Sequence, residues 1–251
     1  DVFRGIRNPR LVGRELNRLY YKHRRVGQHN PQAVNFLDED WDNLIILDAC
    51  RYDSFAEHAK LPGQLERRFS LGSATYEFIR ENFSERKELD TVYVGANTWL
   101  LRLKEEINAG VHHFVDLQNG DHDVTWVDEG LKVVTPETVT QHAERIHDEY
   151  PNKRLIVHYL QPHHPFIGPT GKEHFSHQSN SLSEVISESD SQVTRKTVRQ
   201  AYRENLKKVV DEVEGLLPKL TGKTVVTADH GEMLGDRYEI VPTRDFGHPA
   251  G

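Results

Sequence analysis

Five short apolar runs punctuate the chain: 43–48 (NLIILD), 91–96 (TVYVGA), 112–116 (HHFVD), 154–160 (RLIVHYL) and 224–228 (TVVTA). Their Val, Ile and Leu residues come in continuous stretches rather than in strict alternation, the pattern of strands covered on both faces. Between them lie segments of helical character at 9–25, 51–60, 75–83, 98–109, 136–149 and 195–217. The 136–149 segment has Pro136 near its start and Glu137 in its first turn, both helix-start signals. Strand–helix alternation predicts an α/β fold: a mainly parallel, doubly wound sheet between two helical layers, a three-layer αβα arrangement. Residues 1–42 read as an N-terminal helical segment packing on the core, and 43–251 as the α/β domain. The stretch 170–195 is rich in serine and poor in apolar residues, so it reads as a mobile surface loop that can serve as a substrate lid.

The run at 224–228 ends in Asp229-His230-Gly231-Glu232, and the run at 43–47 ends in Asp48. A buried strand ending in Asp-His sets a carboxylate and an imidazole on a rigid edge, where open α/β sheets bind ligands. Oxygen and nitrogen donors together suit a divalent metal, and two acid-terminated strands point to one shared ion. A metal hydrolase with a covalent step also needs a nucleophile and cations around the scissile group. The turn Ser70-Leu71-Gly72-Ser73-Ala74-Thr75 precedes the helix-like stretch Tyr76 to Phe83 and offers hydroxyls at a helix N-terminus, where positive potential favours a phosphoryl oxygen. The competing reading of that turn is a plain helix cap, since Ser and Thr are favoured there. Histidines cluster after the fourth run (His158, His163, His164) and again at His248. For His158 and His164 a structural role is the better reading.

Composition narrows the class. The chain has 251 residues, 36% of them hydrophobic, enough for a full core. Its net charge of −7 and dispersed basic residues argue against a nucleic-acid partner. One cysteine excludes a disulfide framework and a Cys-based zinc site. Neither a membrane span nor a signal peptide is visible, so the reading is a cytoplasmic or membrane-peripheral protein. No GxGxxG or GxxxxGK phosphate loop is present, which argues against a nucleotide-binding α/β domain. Oligomeric state is not legible.

Taken in order, LIILDACRYD, the Gly-Ser-Ala-Thr turn, PHHPF, ADHGEMLGD and the late Gly-His resemble the alkaline phosphatase/sulfatase superfamily, on its sulfatase-like branch. The resemblance covers roughly residues 43–251. It implies an alkaline phosphatase-like sheet with a metal-bound nucleophile, and Asp48, Asp229, His230 and Thr75 as ligands. Thr75 falls at the implied nucleophile position, with Ser73 the close alternative. His163, His248 and Asn97 match places that contact the transferred group. Arg51 could add charge there, although an exposed Arg51–Asp53 pair at a helix start is the safer reading. The formylglycine motif of sulfate-ester hydrolases is missing: Cys50 is followed by Arg51-Tyr52-Asp53, and Gly72-Ser73-Ala74-Thr75-Tyr76 lacks its Pro and Arg. The resemblance therefore implies a hydrolase or transferase of phosphate esters, on small molecules, envelope glycans or head groups. The alternatives are a formylglycine-independent sulfuric ester hydrolase and a non-catalytic relative that binds anionic glycans or lipid head groups. The Asp-x-x-x-His of the two-metal branch is missing, which implies one ion: Mn²⁺, Zn²⁺ or Ca²⁺. Such folds continue past the Gly-His motif, so further elements are expected beyond Gly251, and the Asp1 start leaves room for leading segments.

Overall fold

The computed structural model describes residues 12–13, 15–17, 19–20, 23, 32–120, 124–128, 131–175, 182–188 and 193–249. Its centre is a five-stranded parallel sheet in the order β3-β2-β6-β1-β7. The strands are β1 (Asn43–Leu47), β2 (Lys87–Gly95), β3 (Gly110–Asp116), β6 (Arg154–Tyr159) and β7 (Thr224–Thr227). All five residues of β1 are buried. Their side chains alternate between two apolar cores, because successive residues of a strand point to opposite faces.

Ile45 and Leu47 join Val157 and Tyr159 on one face. There they pack against Val139, Ala143 and Ile146 of α4 (Pro136–Glu149) and Leu206, Val209 and Val213 of α7 (Arg195–Leu216). Leu44 and Ile46 face the other way, with Tyr93 and Ile156. They meet Phe78, Ile79 and Phe83 of α2 (Thr75–Phe83) and Leu100 and Leu103 of α3 (Trp99–Leu103). Helices therefore cover both faces of the sheet, as the run pattern predicts. The short helix α1 (Tyr52–His58) follows β1.

Local signals explain the long helices. Thr135 caps α4 by accepting from the Thr138 N–H, and Pro136 occupies the first turn, where its missing N–H costs nothing. Thr194 and Thr197 exchange capping hydrogen bonds at the start of α7. The expected helix at 98–109 ends at Leu103. The Ser-rich stretch expected as a loop instead contributes α5 (Pro169–His174) and α6 (Leu182–Glu188); its residues 176–181 and 189–192 lie outside those described. Leu182 and Val185 of α6 are buried with Phe166, Tyr202 and Leu234, so a few apolar residues anchor a segment whose composition reads as solvated. Two antiparallel hairpins escape the run pattern: β4 (Trp126–Asp128) with β5 (Leu131–Val134), and β8 (Met233–Arg237) with β9 (Arg244–Gly247).

The described residues between 12 and 23 are helical. Asn17 is fully buried and ties them to the β8–β9 turn. Its amide donates to the Val241 carbonyl (2.9 Å) and Thr243 Oγ1 (3.2 Å), and its oxygen accepts from the Val241 N–H (3.0 Å). Gly13 makes the approach possible: a Cβ there would lie 2.2 Å from the Thr243 methyl. Among the described residues no helix is long and apolar enough to cross a membrane.

Candidate metal centre

The registers of β1 with β7, Asn43↔Thr224 through Ile46↔Thr227, carry two residues further to Asp48 beside Asp229. Adjacent strands thus deliver both acids to one level of the carboxyl edge. Asp229 is fully buried and firmly held. Its Oδ1 accepts from the Ala49 N–H (2.9 Å) and the His230 N–H (2.8 Å), and its backbone carbonyl accepts from the Ser70 hydroxyl. Asp48 Oδ2 accepts from Asn97 Nδ2 at 2.9 Å, whereas Asp48 Oδ1 is buried with no hydrogen-bond partner. His230 Nε2 lies 3.5 Å from Asp48 Oδ1 and 3.5 Å from Asp229 Oδ2. Its Nδ1 is 2.7 Å from the Gly231 carbonyl, which assigns the proton to Nδ1 and turns Nε2 toward the acids. One ligand atom from each of Asp48, Asp229 and His230 lies within 4.8 Å of the others, a set that can hold a metal ion.

The turn before α2 separates its two hydroxyls. Thr75 Oγ1 donates to Asp229 Oδ2 at 2.7 Å and lies 3.5 Å from His230 Nε2. Ser73 turns away: its hydroxyl and N–H both donate to Glu77 Oε2 at 2.8 Å. The helix cap itself is Ala74, in extended backbone and without a side-chain bond. The turn is tight enough to need Gly72, where a Cβ would sit 2.3 Å from the Phe78 nitrogen.

A second group stands just outside the first. His163, Glu232 and His248 also bring ligand atoms within 4.8 Å of one another. His163 Nε2 is 3.2 Å from His248 Nε2 and 3.9 Å from Glu232 Oε2, and the His230 and His248 rings meet edge to face at 4.7 Å. Both Glu232 oxygens are buried without a hydrogen bond. Arg51 makes the pair with Asp53 that is its safer reading from the sequence. Its guanidinium forks onto Asp53 (2.8 and 2.6 Å) and bonds the Glu232 carbonyl and Asp236 Oδ2, both at 2.7 Å. The pair with Asp53 is the exposed one expected at the helix start, with the Asp53 side chain 58% and the Arg51 side chain 19% accessible.

The electrostatics are those of a cation site. Burial pushes the Asp48 carboxyl up, but the neighbouring His163, His230 and His158 outweigh it and hold it well below the usual carboxylate range. Burial pulls the His230 imidazole down, yet Asp229 and Asp48 outweigh it and lift it to about 10. Without a metal, the proton on His230 partly balances the two acids. A divalent ion would replace that proton, and metal binding to such a set releases protons. The orphaned Asp48 oxygen and the mixed oxygen–nitrogen donors fit this exchange.

Several supporting residues were not legible as such. Ala49 follows Asp48 with φ of 59°, a region sparsely used by non-glycine residues. Tyr202 of α7 stabilises that bend: its hydroxyl donates to the Ala49 carbonyl (2.8 Å) and accepts from the Arg51 N–H (2.9 Å). One turn on, the fully buried Asn205 accepts from the Ile167 N–H (2.8 Å) and donates to the His163 and Pro165 carbonyls (3.1 Å each). Beneath Asp229, Tyr93 bonds His158 Nδ1 at 2.5 Å, and burial lowers the pKa of that imidazole. His158 is therefore a supporting histidine whose Nε2 faces Asp229 Oδ2 at 3.9 Å. An Asn and a Tyr inside the apolar stripe Val198–Ala201–Leu206–Val209 were the available signal for the α7 pair.

No family model matches the chain, and no curated protein or solved structure matches it significantly.

Proposed function

We propose that the chain is a metal-dependent hydrolase or transferase of phosphate esters, with sulfate esters the slower class, and that its sheet is of the alkaline phosphatase type. The observation that carries this reading is the position of Thr75: a buried hydroxyl on the first turn of α2, 2.7 Å from Asp229 Oδ2, beside an unpartnered Asp48 oxygen. A bare cap would not need two acids and an imidazole gathered around it.

A divalent ion held by Asp48, Asp229 and His230 would lower the pKa of a hydroxyl beside it and neutralise charge on the ester oxygens. The chain's own groups do the rest. Asp229 orients the Thr75 hydroxyl, and the positive end of the α2 dipole favours an anionic oxygen. Thr75 Oγ1, its proton given up to solvent, attacks to form a bond to phosphorus and breaks the bond to the leaving alcohol. His163 and His248, on the outer side, are placed to hold oxygens of the transferred group as charge develops, and water protonates the departing alcohol oxygen. Water or an acceptor alcohol then releases the group from Thr75. Asn97 enters this scheme through Asp48, which it orients, rather than through the substrate.

Turnover of matched aryl phosphate, phosphodiester and sulfate esters by purified protein with Mn²⁺, Zn²⁺ or Ca²⁺ tests the reading. Phosphate esters should react fastest, and Thr75→Ala should abolish turnover while metal still binds. A clear preference for sulfate, with formylglycine found at Cys50, Ser73 or Thr75, would overturn the reaction class. Full activity of both Thr75→Ala and Ser73→Ala would overturn covalent catalysis and leave an anion-binding protein.

A further inference from the structure

The helical residues near the N-terminus have two unlike faces. Gly13, Asn17 and Tyr20, spaced one helical face apart, turn inward, and the first two meet the β8–β9 hairpin. Val12, Leu16 and Leu19 form the adjoining stripe, about 100° round the helix, and are 46%, 51% and 61% exposed. Ile240, 48% exposed, extends the apolar surface from the turn beside Val241, the residue that Asn17 grips. Such a row on a surface helix normally faces a core, and here nothing in the chain's described residues covers it.

The sequence that carries this row has a charge balance opposite to that of the rest of the chain. Residues 1–25 carry eight Arg or Lys against Asp1 and Glu15, whereas the remaining 226 residues hold 24 basic and 37 acidic side chains. The hairpin adds Arg237 and Arg244, exposed and directly opposite each other across β8 and β9. An acidic chain whose N-terminal stretch is basic, with exposed leucines within that stretch, has the makings of an interfacial amphipathic helix. Polybasic segments are drawn to the negative surface potential of anionic lipids, and the apolar row then enters the headgroup boundary. A nucleic acid would use the charge but leave the leucines in water. A second copy of the chain would use the leucines but bring two basic ends together.

We infer that the N-terminal helix and the β8–β9 turn form a docking surface for an anionic lipid bilayer. The surface lies on the bilayer and does not span it. The same hairpin leads directly into His248, beside the metal centre. The inference is independent of the proposed chemistry, because none of its residues belongs to that centre.

Co-flotation of the full chain with vesicles tests it, using pure phosphatidylcholine and phosphatidylcholine mixed with phosphatidylglycerol. The chain should float with the mixed vesicles and not with the neutral ones, and roughly 0.5 M salt should release it. Leu16→Glu with Leu19→Glu should weaken binding by about tenfold or more, and so should Arg10, Arg14 and Arg18 changed together to Gln. Leu89→Glu, at a leucine 62% exposed at the opposite end of the sheet, should change nothing. Equal binding to neutral vesicles, no binding to the mixed ones, or equal loss in Leu89→Glu would overturn the inference. So would a lipid-free dimer that the Leu16 and Leu19 changes disperse, since the stripe would then serve self-association. Stronger binding to a DNA duplex than to the mixed vesicles would also overturn it.

Discussion

The two edges of the central sheet treat polar groups in opposite ways. At the amino edge they are paired. Asn43 donates to the Thr221 carbonyl (2.7 Å) and Thr224 Oγ1 (3.2 Å), and Asp42 accepts from the Lys223 N–H (2.6 Å). His147 accepts from the Thr221 N–H (3.2 Å), and Arg154 lies over the Trp41 ring at 3.5 Å. At the carboxyl edge, Asp48 Oδ1, His158 Nε2 and both Glu232 oxygens are buried without hydrogen bonds. Such groups carry a desolvation cost of about 1–3 kcal/mol each when left unpaired. A fold that satisfies one edge and leaves acids waiting at the other concentrates its strain where a cation would relieve it.

Breaking the carboxyl edge should therefore cost both activity and stability. Asp229→Ala should eliminate turnover and metal retention. It also strips the Ala49 and His230 N–H groups of their acceptor, a loss of roughly 3 kcal/mol or more from two buried donors. A melting curve with and without metal separates the two effects, since ligation adds its own stability. A variant that keeps its metal response would contradict the assignment of Asp229.

Breaking the amino edge should cost stability alone. Asn43→Leu removes the partner of the Thr221 carbonyl and should destabilise by about 1–3 kcal/mol. Turnover per folded molecule should not change. Lost turnover without lost stability would erase the contrast between the edges.

Within the carboxyl edge, Glu232 sharpens the contrast through pH. Burial raises its carboxyl to about 7, above the free value. A raised folded pKa means the native state holds the proton longer, so this contribution is full below the unfolded value of 4.5 and gone above pH 7. Metal-free Glu232→Gln should thus be more stable than the parent at pH 8, by on the order of 2 kcal/mol, and nearly equal at pH 4. Denaturant curves at the two values check this; a variant that is weaker at pH 8 would mean that the charged carboxylate is stabilised in place. The smallest effect belongs to Ser73→Ala, about 1 kcal/mol from the lost Glu77 bond, with turnover near that of the parent.

The layered sheet and its carboxyl-edge acids were legible because continuous apolar runs and strand-terminal Asp residues are local signals. Asp48, Asp229 and His230 converge as the parallel register requires. Thr75 and Ser73 stayed ambiguous, since their opposite directions depend on the bend at Gly72. Glu232 was hidden for another reason: an acid in the turn five residues past β7 is usually solvated, and the β8–β9 hairpin folding back beside it buries this one. Arg51 was drawn toward Asp236 by the same hairpin, which the run pattern does not announce. Long-range hydrogen bonds from Tyr202 and Asn205 were likewise out of reach, because they link residues 153 and 38 positions apart.

Calorimetric titration with Mn²⁺, Zn²⁺ and Ca²⁺ of the parent, Asp48→Asn, Thr75→Ala and His163→Ala tests the central claim most directly. The account predicts that one of these ions binds tightly with close to one equivalent, that Asp48→Asn loses it, and that Thr75→Ala and His163→Ala largely retain it. Tight binding that survives Asp48→Asn but disappears in His163→Ala would move the ion to the outer group and contradict the account.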